Sequence, residues 1–199
     1  MNTSDAAPPA ADMPGSSLSS NTAAGCVLDR TVVLVGLMGA GKSAVGRRLA
    51  ARLGMAFIDA DVEIEQAAGR SIEEIFARDG EAAFRAAERR IIHRLLTERP
   101  VHVLATGGGA FMDPETRKVI AEHGRSVWLR AELDVLLART SRRNHRPLLK
   151  KGDPREILQN LMNVRYPVYA EADITVESDD QPVEETVERV AQALKDYKQ

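Results

Sequence analysis

The residues best suited to chemistry lie in one glycine-rich stretch, Gly36-Leu37-Met38-Gly39-Ala40-Gly41-Lys42-Ser43. It matches G-x-x-x-x-G-K-[ST], the phosphate-binding P-loop. Glycine reaches backbone angles that a Cβ forbids, so successive N–H groups can turn toward one anion. A helix starting here adds partial positive charge at the same place. Gly39, Ala40, Gly41, Lys42, Ser43 and the adjoining Ala44 are the candidate nucleotide contacts. Lys42 can reach the β- and γ-phosphates, and Ser43 can set its hydroxyl on Mg²⁺.

Three further groups could serve the same chemistry. Asp59 and Asp61 are two residues apart, so in extended chain they point to opposite sides. One could approach a metal while the other faces a phosphoryl acceptor; turn formation and N-capping are the plainer reading. Gly107-Gly108-Gly109 removes side chains from three positions, which suits close approach of a ligand or simply a flexible turn. Arg139, Arg142, Arg143 and Arg146 fall in a short span with His145. Such a basic loop could fold over a triphosphate, or be a solvated surface. Arg85 has Glu81 and Glu88 at helical spacings, and a surface ion pair accounts for it. Arg165 falls at a helix end, where a cation suits the dipole.

The surrounding elements must position these groups. Thr31 to Val35 is an apolar, β-branched run that reads as a buried strand, and Ser43 to Leu53 has an apolar helical face. Phe57-Ile58 opens a second strand ending in Asp59-Ala60-Asp61, followed by a helix over Val62 to Ala68. Ser71-Ile72-Glu73-Glu74 carries a capping-box pattern. Phe84, Ala87, Ile91 and Leu95 mark a strong helix over Glu81 to Arg99. Further strands are expected at Val101 to Ala105, Ser126 to Leu129 and Ile174 to Val176. Helices are expected to start at Asp113-Pro114 and Asp153-Pro154, and to cover Ala131 to Thr140 and Pro182 to Tyr197. Strands alternating with helices five times imply a parallel sheet covered on both faces, with ligands beyond the carboxyl ends of the strands. The P-loop, the Asp pair and the glycine triplet each follow a strand and so fall on one rim.

Composition narrows the function classes. The chain has 199 residues, 44% hydrophobic and 28% charged, with a net charge of −2. That suits one α/β domain and gives no bulk attraction to nucleic acid or anionic membrane. Cys26 is the single cysteine, which favours a reducing compartment and hence the cytoplasm. The four histidines show no metal-ligand spacing, and no apolar run approaches the ~20 residues that span a bilayer. Residues 1–25 read as a disordered Ala/Ser/Pro/Gly-rich tail, and 26–199 as one domain.

At this point the sequence resembles the shikimate kinases. The P-loop with Val45-Gly46-Arg47 is similar to that family's first helix, and Phe57 to Asp61 through Ile64-Glu65 to its Asp-x-Asp segment. Gly69-Arg70-Ser71-Ile72 through Ile75-Phe76, then Gly80-Glu81 and Phe84-Arg85, is similar to its acceptor-binding region. Ala105 to Ala110, Arg146-Pro147-Leu148-Leu149 and Arg165-Tyr166-Pro167-Val168-Tyr169 resemble its glycine-rich segment, lid and late arginine motif. The matches run in order from about Val32 to Tyr169. The resemblance implies a three-layer α/β/α P-loop kinase fold with a five-stranded parallel sheet and a lid at about 141–152. It implies transfer of a phosphoryl group from ATP, with Mg²⁺, to shikimate by a monomer. Asp61, Arg85, Arg165 and the backbone of Gly107, Gly108 and Gly109 would hold shikimate. Asp59 and Ser43 would help place Mg²⁺. Lys42 and Arg146 would stabilise the transferring phosphate, and Arg139 would lie near the adenine. A nucleotide contact that the family draws from the loop before its last helix has no arginine here, where the chain reads Ser178-Asp179-Asp180-Gln181-Pro182. Two other readings share the P-loop. A gluconate kinase would not need paired arginines, and a guanine-nucleotide switch should carry N-K-x-D, which is absent.

Overall fold

The computed structural model describes residues 28–141 and 152–197. The five apolar runs form β1 (Thr31–Val35), β2 (Ala56–Asp59), β3 (His102–Ala105), β4 (Gly124–Arg130) and β5 (Ile174–Glu177). Between them lie α1 (Lys42–Leu53), α2 (Ala60–Ala68), α3 (Ile72–Arg78), α4 (Gly80–Glu98), α5 (Pro114–His123), α6 (Leu133–Ser141), α7 (Pro154–Tyr169) and, last, α8 (Val183–Asp196). The strands make one sheet in the order β2-β3-β1-β4-β5, parallel throughout. Parallel neighbours need long crossovers, and here helices supply them and cover the sheet. α1 lies beside α8, and α5 beside α4.

Strand β1 sits at the centre, and all its residues are buried. Leu34 pairs in register with Ala105 on one side and Val127 on the other, while Ala105 pairs with Asp59. The carboxyl ends of β2, β3 and β1 are therefore level. The chain leaves β1 with its later strands on either side, so the P-loop opens at the switch point of strand order, where open α/β sheets bind ligands. Trp128 of β4 lies directly behind this point, edge-on to Tyr166 at 4.9 Å and beside Tyr169 at 5.9 Å.

Local chemistry sets most element ends as read. Ser71 caps α3 through the reciprocal capping box with Glu74. Asp113 and Asp153 cap α5 and α7, each followed by proline at the first helical position. Several boundaries differ from expectation by one or two residues, among them α6, which starts at Leu133 rather than Ala131, and three differences have a clear local reason or consequence. α2 begins at Ala60 rather than Val62, because Asp59 accepts a hydrogen bond from the Asp61 N–H and caps the helix. β4 starts at Gly124 rather than Ser126, since its pairing with β1 runs back to Thr31. α7 continues through Pro167 to Tyr169, so Arg165 is not in its last turn and the dipole explanation for it fails.

Candidate active site

The P-loop joins β1 to α1 with Gly36, Gly39 and Gly41 at φ of 137°, 87° and 94°, a region that L side chains rarely occupy. Gly41, the N-cap of α1, supplies no side-chain cap, and the first turn holds no acid. The positive end of the helix is thus left for an external anion. The Lys42 ammonium donates to the Gly36 carbonyl at 2.7 Å and the Leu37 carbonyl at 3.0 Å. These contacts hold the lysine over the loop.

Ser43 donates its hydroxyl to Asp59 Oδ2 at 2.7 Å. Helix α1 and the end of β2 thus bring two hard oxygen groups together, as the motif suggested. Asp61 departs from the extended-strand expectation. It lies in the first turn of α2, and its orientation is set by that helix rather than by strand alternation. It nevertheless lines the same cleft as Lys42, Ser43 and Asp59, a space of about 450 Å³ that also includes Arg139 and Gln181.

The glycine triplet is not a loose turn, and Gly108 lines the cleft. Thr106 ties it to Leu34, and Ala110 and Met112 close back onto Gly107 and Gly109. The protein's own charged side chains occupy the room that Cβ atoms would take. A Cβ on Gly107 would lie 2.6 Å from Glu88 Oε1 and 3.0 Å from Asp61 Oδ1. One on Gly109 would lie 2.5 Å from Arg85 Nη1. Arg165 donates to the Gly108 carbonyl at 2.9 Å, and the buried Tyr169 hydroxyl donates to that same oxygen. Burial pushes the Tyr169 hydroxyl up to about 12, so it remains a donor. Gly108 also approaches the P-loop, with its Cβ position 3.5 Å from Met38 N. The triplet therefore brings Asp61, Arg85 and Arg165 beside the phosphate loop.

Arg85 does pair with Glu81, at 3.3 Å, but its shorter bond, 2.6 Å, goes to Glu88. Glu88 is only 3% exposed, so this is not a surface pair. Glu88 Oε1 is buried and has no hydrogen-bond partner among the described residues. Burial raises its carboxyl above the ordinary value; Arg85 opposes the shift, Asp61 adds to it and Arg165 opposes it. Sequence reasoning treated Glu88 only as a partner of Arg85. The missed signal was an acid on the apolar stripe of α4, at helical spacing from Phe84, Ile91, Ile92 and Leu95, all of which are buried.

On the opposite side, Arg139 donates to Ser178 Oγ at 2.9 Å, to the Gly39 carbonyl at 3.4 Å and to the Asp179 carbonyl. Burial lowers its pKa, opposed by Asp179 and Asp180. Guanidinium donors lie in the plane of the group, so these bonds leave its faces for a stacking ring. Ser178, also missed, is 2% exposed. Arg142, Arg143, His145, Arg146 and most of the 141–152 span lie outside the described residues, as does the 1–25 tail. The site as described can cradle a phosphate chain, offer oxygens to a metal and hold an anionic acceptor beside a carboxylate.

Comparison with known proteins agrees with this chemistry. The family model described as shikimate kinase matches residues 38–195. A shikimate kinase of Paramagnetospirillum magneticum is 65% identical over 170 residues, covering 85% of this chain and 87% of the relative. One from Caulobacter vibrioides is 57% identical over 166 residues, covering 83% and 82% respectively. Among solved structures, the shikimate kinase of Acinetobacter baumannii in complex with shikimate matches with a TM-score of 0.78 and 38% identity, over 82% of this chain and 91% of that one.

Proposed function

The chain belongs to the shikimate kinase family, and from that membership and the site we propose that it transfers the γ-phosphoryl group of ATP to the 3-hydroxyl of shikimate. The observation that carries the reading is what surrounds the Gly107 to Gly109 turn. Asp61 abuts Gly107, Arg165 and the P-loop abut Gly108, and Arg85 abuts Gly109.

Lys42 exchanges its contacts with the Gly36 and Leu37 carbonyls for β- and γ-phosphate oxygens, while the loop and the start of α1 bind the phosphate chain. Arg139 offers a planar face to the adenine, with its edges already bonded. Arg85 and Arg165 pair with the shikimate carboxylate, for which a guanidinium fork is the matching donor. Asp61 orients the 3-hydroxyl toward the phosphate. A carboxylate with a reference pKa of about 3.9 is a weak base toward an alcohol, so it accepts the proton late, as the new P–O bond forms. The Gly107 to Gly109 turn holds these groups in mutual register. Arg146 would add charge at the transferring group.

Ser43 and Asp59 fit Mg²⁺. Their oxygens already share a 2.7 Å hydrogen bond, and both line the cleft. The described residues hold no cluster of three or more metal-binding side chains. Ser43 and Asp59 would therefore hold the ion only in part, the rest of its ligands being left to water and phosphate. When bound, it neutralises charge on the phosphates. The reading extends to a monomer acting in the cytoplasm on a small-molecule substrate, and the net charge of −2 gives no bulk attraction to nucleic acid or anionic membrane. No helix among the described residues is long and apolar enough to cross a membrane.

The test is ADP production by purified protein with shikimate, gluconate or no acceptor. Shikimate alone should stimulate it. Equal hydrolysis without acceptor, or stimulation by gluconate only, refutes the reading.

A further inference from the structure

Ser178 follows β5 and lies 39 residues from Arg139 and 138 from Ala40 in the chain, yet its hydroxyl joins the two. It donates to the Ala40 carbonyl at 2.8 Å and accepts from Arg139 Nη1 at 2.9 Å. Its own N–H donates to the Arg130 carbonyl at 2.7 Å, which anchors it to the end of β4. Ser178 is 2% exposed, so water does not readily replace either side-chain bond. One oxygen thus fixes a P-loop carbonyl together with the guanidinium, whose only other bond to the loop among the described residues is the 3.4 Å one to the Gly39 carbonyl. Thr140, next to Arg139, tightens the same bracket, since its methyl lies 3.0 Å from the Cβ position of Gly39.

We infer that Ser178 is a positioning residue for the nucleotide: its hydroxyl sets the spacing between the phosphate loop and the arginine face that receives the base. The inference rests on the reading of this cleft as an ATP site. Chemistry dictates the residue type. The position needs one donor toward Ala40 and one acceptor toward Arg139, both from a short side chain, and a hydroxyl supplies both. Without it, the Ala40 carbonyl and an Arg139 N–H each lose a buried partner, and the loop and guanidinium stay linked by the longer Arg139–Gly39 bond of 3.4 Å. Neither group lies at the acceptor end of the site. The loss should therefore fall on nucleotide affinity.

The experiment compares Ser178→Ala, Ser178→Thr and Ser178→Val for ADP binding by calorimetry, shikimate binding by the same method, and KM for ATP. Thr and Val have nearly the same shape and differ in the hydroxyl, so packing is controlled even if Ala weakens the fold. Ala and Val should lose about tenfold in ADP affinity, on the order of one buried hydrogen bond. Their KM for ATP should rise similarly, with shikimate binding within twofold of the parent's. Thr should stay close to the parent. Parent-like ADP binding by Val, or a loss for Thr equal to that for Val, refutes the inference. So does an equal loss for shikimate, which would mark general loosening. Failure of the parent itself to bind ADP would instead overturn the ATP-site reading, and the inference with it.

Discussion

Replacing Gly109 by alanine tests whether the triplet is there to seat the protein's own arginine. Gly109 has φ of −103°, so alanine brings no backbone strain. Its Cβ would meet three atoms of the Arg85 guanidinium at 2.5, 2.6 and 2.7 Å. Ordinary carbon contacts begin near 3.5 Å, so the guanidinium must retreat by about 1 Å. Its side chain is 31% exposed and can move outward by loosening its pair with Glu88, and the fold should lose about 1 kcal/mol, a few degrees in Tm. The reaction is less forgiving. A displacement of about 1 Å in a group that positions substrate can cost about 100-fold, or about 2.7 kcal/mol of barrier. Steady-state kinetics with shikimate varied should show kcat/KM down by about 30- to 100-fold, with ADP binding within twofold of the parent's. Gly108→Ala is the comparison, since its Cβ meets nothing nearer than 3.5 Å in the protein. Parent-like kcat/KM in Gly109→Ala would refute the argument that Arg85 dictates the glycine.

Other perturbations separate the roles. Asp61→Asn should keep ADP affinity while cutting kcat by at least about 100-fold in a coupled ADP assay; near-normal turnover removes Asp61 from the reaction. Lys42→Met should lose a comparable factor with an unchanged thermal melt, and a rate near the parent's would discredit the phosphate assignment. Glu88 has its carboxyl raised by burial, so its contribution to stability is present below its ordinary value of 4.5 and is lost as pH rises through the raised one. Denaturant melts of Glu88→Gln should lack that decline across the window just above 4.5; parallel pH curves for variant and parent would count against the shift.

How much of this was legible depended on where each partner lies. β-branched runs and caps are local, so strands, helix starts and the P-loop could be read directly. Alternation implied a parallel sheet but not that β1 lies between β3 and β4, which is decided by helix packing across the sheet. Asp61 was placed in an extended end because Asp59 could serve equally as strand terminus or cap, and the Asp61 N–H decides for the cap. Glu88 reads in the sequence only as an ion-pair partner and Ser178 only as part of a loop, because their meaning lies in groups on other elements: Gly107 and Asp61 for one, Ala40 and Arg139 for the other. The triplet stands out in the sequence, but not the crowding of its Cβ positions by Glu88 and Asp61 at Gly107 and by Arg85 at Gly109.

Trp128 gives the molecule a built-in optical reporter. It is the sole tryptophan of the chain, so all indole emission comes from one place. That place is behind the Gly36 turn, with Cδ1 3.5 Å from the Gly36 Cβ position. Two of the chain's three tyrosines, Tyr166 and Tyr169, lie within energy-transfer range on the helix that carries Arg165. The indole N–H is buried and has no hydrogen-bond acceptor among the described residues, a setting that favours emission toward the blue. Movement of the phosphate loop and movement of α7 therefore act on the same fluorophore from two sides, and unlabelled protein can report both.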